Sequence, residues 1–259
     1  MKILVCIKQV PDSSETLELN PSTGWITYNP FTVFRMNRFD EYALEEALQL
    51  REQDPGTSVH ALSVGPERVS STLRRAMEMG SDCGVHLLMQ QDEYISPVTV
   101  ASAIASYART RGYDLIITGV MAEDDMACMT GQLVAAILDL PSATSVIRVD
   151  HRTHDGSLEV DREIEGGTRI SLLMDLPAVI TVQSGINIPR YPSLSNVLRA
   201  RSQPLELVRI EDLDIVPVRE SCSGVKSPDS SIQGVYIDGT LREKALWLKE
   251  LLHERAFLP

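Results

Sequence analysis

The sequence lacks the residue patterns that mark metal, disulfide and hydrolytic chemistry. Its four cysteines are scattered, without a CxxC motif or a cysteine–histidine pairing, which argues against a zinc site or a disulfide framework and predicts buried free thiols. The five histidines show no metal-ligand spacing. No GxxxxGK(S/T), no GxGxxG after a strand, no HExxH and no GxSxG motif occurs. These absences predict a binding protein rather than an enzyme.

Positive charge and long apolar runs are also scarce. Lys and Arg number 24 against 36 Asp and Glu, a net charge of -12 at pH 7, which argues against a nucleic-acid partner because such binding depends on cationic side chains. No stretch approaches the roughly 18–20 apolar residues that span a bilayer. The apolar run at 3–7 is too short for the core of a signal peptide. We expect no membrane insertion and a cytoplasmic location, or the mitochondrial matrix if the source is eukaryotic.

Strand and helix patterns alternate through the first 140 residues. Such alternation predicts an α/β fold with a doubly wound, mostly parallel sheet covered by helices on both faces. In the first helix the apolar stripe lies within Ala43–Leu50, and Glu45 and Glu46 are predicted to face solvent. The predicted strands are 2–8, 58–64, 84–89 and 113–118, and the predicted helices are 40–53, 66–79, 96–111 and about 126–139.

A different pattern follows Pro141. Residues 202–234 mix Pro, Ser and charge without periodicity, which predicts an extended arm, and 240–254 form an amphipathic helix that docks on its own domain or on another chain. This divides the chain into an α/β domain, 1–201, and a C-terminal arm with a helix, 202–259. Antiparallel strands added to the same sheet are predicted at 143–149, 157–163, 169–175 and 177–183, with turns at 154–156 and 166–167.

Open parallel sheets bind ligands beyond the carboxyl ends of their strands, where the strand order reverses. Three segments meet this criterion: Val10–Asp12, Gly65–Pro66 and Gly119–Gln132. The last favours a ligand site most, because it opens a helix whose free N–H groups can hold a phosphate. Asp124 and Asp125 within it are either N-cap residues or groups that bind ligand hydroxyls, and the sequence leaves both open.

A loop rich in Pro, Ser and Arg follows the apolar run 176–182. Residues 189–196 place a tyrosine and a leucine between prolines and serines. Since loops lie on the surface, these two side chains either fold back onto their own domain, which composition alone favours, or bind a partner.

Several segments match one known family in the same order and spacing. They are KILVCIKQVPD at 2–12, MNRFDEYALEEAL at 36–48, LSVGPE at 62–67, the TG and TGQ of 118–132, VDREIEGG at 160–167, DLPAVITV at 175–182 and PRYPSLSN at 189–196. These segments resemble the small (beta) subunit of electron transfer flavoproteins. The resemblance runs from Met1 to about Arg209.

The resemblance implies a Rossmann-like domain that binds an adenine nucleotide, in a heterodimer whose alpha subunit carries the redox-active FAD. The nucleotide in this chain is implied to be a structural AMP or, as in electron-bifurcating members, a second FAD reduced by NADH. Phe39 also matches an aromatic residue near the alpha-subunit flavin. The positions that match the nucleotide site are Cys6, Asn37, Arg38, Phe39, Asp40, Val64, Gly119, Val120, Met121, Ala122, Glu123, Asp124, Asp125, Met126, Ala127, Cys128, Met129 and Thr130.

The loop 119–132 departs from both patterns of the family. Asp125 and the TGQ at 130–132 resemble AMP-binding members, whereas the opening KQVPD resembles bifurcating members, and AMP is favoured. Met126 stands where both patterns have an acidic residue, and Met129 where they have a polar one. These methionines either line a more apolar pocket or, as we expect, pack beneath the helix.

The segment 190–201 matches the partner-recognition loop of the family, with Leu194 at its anchoring leucine. An apolar side chain in a partner's pocket provides binding while the flavin domain stays free to move. Residues 189–205 contain three arginines and no acidic residue, so we expect acidic dehydrogenase surfaces to be steered to them. Glu163 matches a glutamate that contacts the alpha-subunit domain. The implied partner-binding residues are Glu163, Arg190, Tyr191, Leu194, Asn196, Arg199 and Arg201.

The resemblance implies an electron carrier subunit that passes electrons from acyl-CoA dehydrogenase-type flavin dehydrogenases to a membrane quinone reductase. One alternative is a bifurcating subunit that binds a second FAD and oxidises NADH. Another is a stand-alone nucleotide-binding regulatory protein similar to universal stress proteins, which leaves 158–201 and 240–254 unexplained.

Overall fold

The chain forms two compact units, Met1–Val225 and Lys226–Pro259. A computed structural model describes residues 1–12, 14, 18–20, 22, 24–90, 94–152, 156–217, 220, 222–226 and 234–255. The first unit holds the sheet and its helices, and the second holds one helix with a capping box at its start. The first unit therefore extends past residue 201, where the sequence suggested a boundary.

The helices and strands follow the predicted alternation. The helices are α1 (Arg38–Gln53), α2 (Ser70–Met79), α3 (Pro97–Ala108), α4 (Thr130–Leu138), α5 (Leu194–Ser202) and α6 (Leu241–Glu254). The strands are β1 (Lys2–Cys6), β2 (Gln9–Pro11), β3 (Glu18–Asn20), β4 (Trp25–Thr27), β5 (Phe34–Met36), β6 (Ser58–Gly65), β7 (Cys83–Leu88), β8 (Leu115–Gly119), β9 (Ser142–Arg152), β10 (Ser157–Glu163), β11 (Arg169–Asp175), β12 (Ala178–Val182) and β13 (Glu206–Arg209).

Nine strands form one sheet in the order β11-β10-β9-β12-β8-β1-β6-β7-β13. Every neighbouring pair from β9 to β13 along this order is parallel, and only β9–β10 and β10–β11 are antiparallel. The doubly wound, mostly parallel sheet is thus confirmed. The antiparallel interpretation of 177–183 is wrong, because β12 pairs in parallel with both β8 and β9. Its burial along the whole length is expected of a central parallel strand.

Helices cover both faces of the sheet. The apolar stripes of α1 and α2 pack on one face, and those of α3 and α4 pack on the other. Glu45 and Glu46 of α1 were predicted to face solvent, yet they are only 3% and 6% exposed. The helical pattern alone could not show this, because the residues that cover them lie about 140 positions further along the chain.

Three further predictions differ from the structure. The segment after Pro192 is a helix, α5, whose N-cap Ser193 accepts a hydrogen bond from Asn196 N. The start of the predicted arm joins the sheet instead: β13 pairs with β7, and Ile210, Leu213 and Ile215 pack against the core. Two of the cysteines predicted to be buried, Cys128 and Cys222, are exposed. Parts of the predicted turn at 154–156 and of the remaining arm, including 227–233, lie outside the described residues.

Candidate functional site

A cleft opens at the carboxyl ends of β1, β6 and β8, where the strand order reverses. Its volume is about 150 Å³, far above the roughly 10–15 Å³ that one water molecule needs. Leu62, Val100 and Ile104 form an apolar inner wall beside Cys6. Burial raises the pKa of the Cys6 thiol, so this wall carries no charge. The inner part of the cleft therefore suits a flat, largely apolar group such as a purine base.

Asp40 joins the ends of two neighbouring strands at the cleft. Its carboxylate accepts hydrogen bonds from Lys8 N at 2.7 Å and from Gly119 N at 3.0 Å. Burial raises the pKa of Asp40 to about 7, although the two amides favour the charged form. A Cβ at position 119 would lie 2.5 Å from Asp40 Oδ1 and 2.6 Å from Phe39 Cβ. Only glycine therefore allows α1 to approach β8 this closely.

Lys8 holds the two aspartates of the loop after β8. Its Nζ lies 2.7 Å from Asp124 Oδ1 and 2.8 Å from Asp125 Oδ2. Burial by itself lowers the pKa of Lys8, but the two carboxylates outweigh it and keep the pKa above its ordinary value. The interpretation of the aspartates as N-cap residues of the following helix is wrong, since Met129 is the N-cap of α4. The ion pairs bring the loop to β1 and neutralise part of its negative charge.

Glu123 and Asn37 fasten the same loop to the start of α1. Asn37 Nδ2 donates to Met121 O at 2.9 Å, and Glu123 N donates to Asn37 Oδ1 at 3.1 Å. The Glu123 carboxylate accepts a hydrogen bond from Arg38 N at 3.3 Å and pairs with Arg35 at 3.1 Å. A carboxylate at this end of a helix interacts favourably with its dipole. The Glu123 side chain therefore serves the fold and does not line the cleft.

The N-terminus of α4 faces the cleft with Met129 and Thr130 among the lining residues. No side chain caps this helix, and the first-turn N–H groups of Thr130, Gly131 and Gln132 find no acceptor in the part of the chain that the structure describes. Gly131 lets the helix lie close to the sheet, because a Cβ there would lie 2.5 Å from Thr181 Cγ2. Free N–H groups and the helix dipole form a favourable place for a phosphate.

The two methionines of the loop do not pack beneath the helix, as the sequence analysis expected. Met126 is 64% exposed and lies outside the cleft, whereas Met129 is partly exposed and lines it. The helix begins at Thr130 rather than near 126, so both residues precede it. Met126 and Cys128 adopt positive φ angles of 50° and 54°, which belong to a turn and not to a helical segment.

Aromatic and cationic side chains form an outer wall that sequence reasoning missed. Trp25 and Tyr94 line the cleft and contact each other edge to face, with ring centroids 5.2 Å apart. The Arg68 guanidinium lies 5.1 Å from the Tyr28 ring centroid and 3.9 Å from that of Phe34. These residues come from short strands and turns without hydrophobic periodicity, so no sequence pattern indicated them. Lys8 was missed too, although its place two residues after the end of β1 was a usable signal.

Most positions that match the family's nucleotide site come together at this cleft. The exceptions are Arg38, Phe39, Glu123 and Met126, which do not line it. Of the three strand-end segments, Gly65–Pro66 and the loop after β8 contribute, whereas Val10 and Pro11 form β2. The matching residues that line the cleft are Cys6, Asn37, Asp40, Val64, Gly119, Val120, Met121, Ala122, Asp124, Asp125, Ala127, Cys128, Met129 and Thr130.

The recognition segment presents apolar side chains on a firmly held base. Leu194 is 76% exposed and Tyr191 is 91% exposed, so they do not fold back onto the domain. Arg190 instead pairs with Glu45, and Arg199 donates to two backbone carbonyls. Two of the three arginines of this surface thus have partners within the fold, and Arg199 remains exposed. Asn196 is half-buried, whereas Arg201 and the distant Glu163 are exposed and form no ion pair within the described residues.

The histidines and acidic residues within the described ranges form no metal-binding group. The part of the chain that the structure describes contains no group of three or more His, Cys, Asp and Glu side chains placed to bind a metal ion. His86 is buried and hydrogen-bonded to Gly65 O, and His60 contacts Tyr113. None of the helices in the described ranges is long and apolar enough to cross a membrane.

Comparison with known proteins supports one family. The sequence model of the electron transfer flavoprotein domain matches residues 32–213. The chain is 39% identical to the mitochondrial electron transfer flavoprotein subunit beta of Arabidopsis thaliana over 83% of this chain and 84% of the relative. It is 34% identical to electron transfer flavoprotein subunit beta of Homo sapiens, over 97% and 98%. It is 30% identical to that of Methylophilus methylotrophus, over 98% of both chains.

Proposed function

The chain belongs to the electron transfer flavoprotein family as a beta subunit, an electron carrier subunit rather than an enzyme, and from this premise we propose its partners and its ligand. It forms a heterodimer with an alpha subunit that carries FAD. The heterodimer takes electrons from acyl-CoA dehydrogenase-type flavin dehydrogenases and passes them to a membrane quinone reductase. Its place is the mitochondrial matrix if the source is eukaryotic, as in the plant relatives named mitochondrial, and otherwise the cytoplasm.

We propose that the cleft binds AMP. One observation carries this proposal: an apolar wall and a helix N-terminus with free N–H groups lie at the same strand-order reversal. Leu62, Val100 and Ile104 would contact the adenine, and the first turn of α4 would hold the phosphate. The redox chemistry belongs to the FAD of the alpha subunit, and AMP supplies none.

The charges of the cleft support a mononucleotide. Asp124 and Asp125 would repel a phosphate, but each pairs with Lys8. The Asp40 carboxylate accepts hydrogen bonds from two backbone amides. With these carboxylates partly neutralised, the free amides of α4 form the favourable anion site. A single phosphate matches a single open helix N-terminus at the cleft.

We propose that the donor dehydrogenase binds at Leu194. The exposed leucine and the neighbouring Tyr191 form an apolar projection, and an exposed apolar patch of this kind is typical of a protein interface. The adjoining α5 is held to the domain by hydrogen bonds from Arg74 to Ala200 O and Gln203 O. A firmly held projection loses little entropy on binding.

A second candidate ligand is FAD, reduced by NADH as in a bifurcating subunit. The outer wall of the cleft favours it, because Trp25, Tyr28 and Tyr94 extend the lining beyond the positions that match the family's nucleotide site. Aromatic walls of this kind stack on flat rings larger than a single base. We favour AMP because the described cleft presents one open helix N-terminus rather than two.

The nucleotide content of the purified heterodimer distinguishes these ligands. The heterodimer is denatured, and released AMP and FAD are separated and quantified. One AMP and one FAD per heterodimer is the expected result. Two FAD and no AMP would establish the second candidate and contradict the proposed mononucleotide. One FAD without any adenine mononucleotide would contradict both proposals for the cleft.

A further inference from the structure

The residues that lead into α5 lie on two buried carboxylates of α1. Asn187 Nδ2 donates to Glu46 Oε2 at 2.9 Å and to Tyr42 O at 3.0 Å. Ile186, just before it, packs against the core. Glu45 is the second carboxylate, and Arg190 covers it. The start of the recognition segment therefore packs on the carboxylates of Glu45 and Glu46. The amphipathic pattern of α1 had predicted that these glutamates face solvent.

Arg190 makes a two-pronged contact with Glu45. Arg190 Nε lies 2.8 Å from Glu45 Oε2, and Nη2 lies 2.9 Å from Oε1. Arg190 N also donates to Glu45 Oε2 at 3.1 Å, and Nη1 pairs with Glu52 at 2.6 Å. Burial alone would raise the pKa of Glu45, but the hydrogen bonds from Arg190 hold the pKa below its usual value. Such a fork fixes both distance and orientation, which a single contact would leave free.

An arginine also holds the other end of the segment, through backbone carbonyls rather than a carboxylate. Arg199 Nη2 donates to Ser81 O at 3.0 Å and to Met77 O at 3.3 Å. Arg201, on the same helix, is exposed and has no hydrogen bond or ion pair in the described part of the chain. The three arginines therefore differ: Arg190 and Arg199 bind groups of their own domain, although Arg199 is exposed, and Arg201 does not.

We propose that Arg190 and Glu45 are positioning residues, whose ion pair between a half-buried arginine and a buried glutamate orients the segment that presents Tyr191 and Leu194 to the donor. Arg190 itself does not contact the donor. This inference rests on the proposed donor docking at Leu194. It also defines the kind of partner surface that fits, since Tyr191 and Leu194 project from this segment and Arg190 is paired within the fold. The partner contributes an apolar pocket rather than an acidic patch.

Four single variants separate orientation from charge. Arg190→Lys keeps the charge and loses the fork, Arg190→Ala loses both, and Glu45→Gln loses the buried acceptor charge. Arg201→Ala is the comparison for charge alone, because it removes one exposed positive charge from the same surface without touching the pair. Each variant is purified as the heterodimer. An acyl-CoA dehydrogenase, which excess acyl-CoA keeps reduced, serves as the electron donor. The rate at which it reduces the heterodimer is measured over a range of dehydrogenase concentrations and at two salt concentrations.

The expected result is a rise in KM for the dehydrogenase with kcat retained. Arg190→Lys, Arg190→Ala and Glu45→Gln should each raise this KM by about tenfold or more, which corresponds to about 1.4 kcal/mol of lost binding. Arg201→Ala should raise it clearly less than the three pair variants do, and salt should have little effect on the wild type. Equal effects of Arg190→Ala and Arg201→Ala, with Arg190→Lys unchanged, would show that Arg190 acts as a surface charge and would overturn the proposal.

Hydrogen exchange of the same heterodimers keeps the inference distinct from the function on which it rests. Amides of residues 190–203 should exchange faster in Arg190→Lys and Glu45→Gln than in the wild type. Their exchange rates in Arg201→Ala should equal those of the wild type. Unchanged exchange in all variants would refute the positioning role, whatever the donor kinetics. Faster exchange with an unchanged KM would support the positioning role of Arg190 and Glu45 and would refute docking at Leu194.

Discussion

Substitution of Gly119 by alanine should damage the protein at the junction of α1, β8 and the cleft. The added Cβ would lie 2.6 Å from Phe39 Cβ and 2.8 Å from the Phe39 carbonyl carbon. Ordinary carbon contacts are about 3.5–4.0 Å, so α1 would have to move by about 1 Å. The start of α1 cannot absorb this by a rotamer change, because one of the clashing atoms belongs to its backbone.

The cost follows from the contacts that this movement would break. Asp40 Oδ1 accepts a hydrogen bond from Gly119 N at 3.0 Å, and an additional 1 Å would end that bond. An unsatisfied buried amide costs about 1–3 kcal/mol, and overpacking costs about 1–3 kcal/mol. Alanine restricts the unfolded chain and returns roughly 0.4–1 kcal/mol at most. We therefore expect the free energy of unfolding to fall by at least about 1 kcal/mol.

Urea unfolding followed by circular dichroism measures this loss. Gly56→Ala is the matched control, because its Cβ would meet Asp54 Oδ1 at an ordinary 3.4 Å and its φ is not in the positive region. The control should unfold within about 0.5 kcal/mol of the wild type. If Gly119→Ala unfolded as the control does, the reasoning from close approach of α1 to β8 would be wrong.

Three further predictions concern Lys8 in the cleft, Glu46 beneath the recognition segment and the exposed Leu194. Lys8→Met should weaken AMP binding to nucleotide-stripped heterodimer about tenfold, because Asp124 and Asp125 would then repel the phosphate; calorimetry with Lys2→Met as control tests this, and equal dissociation constants would contradict it. Burial raises the pKa of Glu46 to about 7, so its contribution is full below about pH 4.5 and is lost as pH rises through 7. Glu46→Gln should therefore gain up to about 3 kcal/mol over the wild type between pH 4.5 and pH 8, since each pKa unit is about 1.4 kcal/mol; parallel pH profiles of urea midpoints would refute it. Leu194→Ala, which alters an exposed residue, should change the unfolding free energy by less than about 0.5 kcal/mol and slow electron transfer from the acyl-CoA dehydrogenase; unchanged transfer would remove Leu194 as the anchor.

The repeated β–α units were predictable because each leaves a local pattern. The parallel strands are short apolar runs, and α1 and α2 carry stripes with the helical period. The antiparallel strands β10 and β11 were predicted at their observed bounds. The strand β13 was missed because four residues, Glu206–Arg209, alternate too briefly to stand out. Its place at the sheet edge depends on pairing with β7, which no local pattern encodes.

The site was predictable where it follows from topology and not where it depends on distant pairs. Strand ends at the reversal of strand order indicated the loop after β8, and the structure places that loop at the cleft. The ion pair of Lys8 with Asp124 joins residues 116 positions apart, and that of Arg190 with Glu45 joins residues 145 apart. Charge patterns in the sequence showed such residues as surface charges. Only the folded chain shows which of them face one another.

The helix α1 connects the two functional regions through its buried polar residues. At its start, Asn37 and Asp40 hold the loop that lines the cleft, and about two turns later Glu45 and Glu46 hold the recognition segment. Its apolar side is fixed against the sheet. A rigid helix keeps the distance between these two pairs of residues constant. A nucleotide bound in the cleft would therefore stabilise the start of α1 without changing the position of Glu45 and Glu46. The proposed structural ligand in the cleft and the proposed apolar donor site on the surface are therefore compatible with one rigid support.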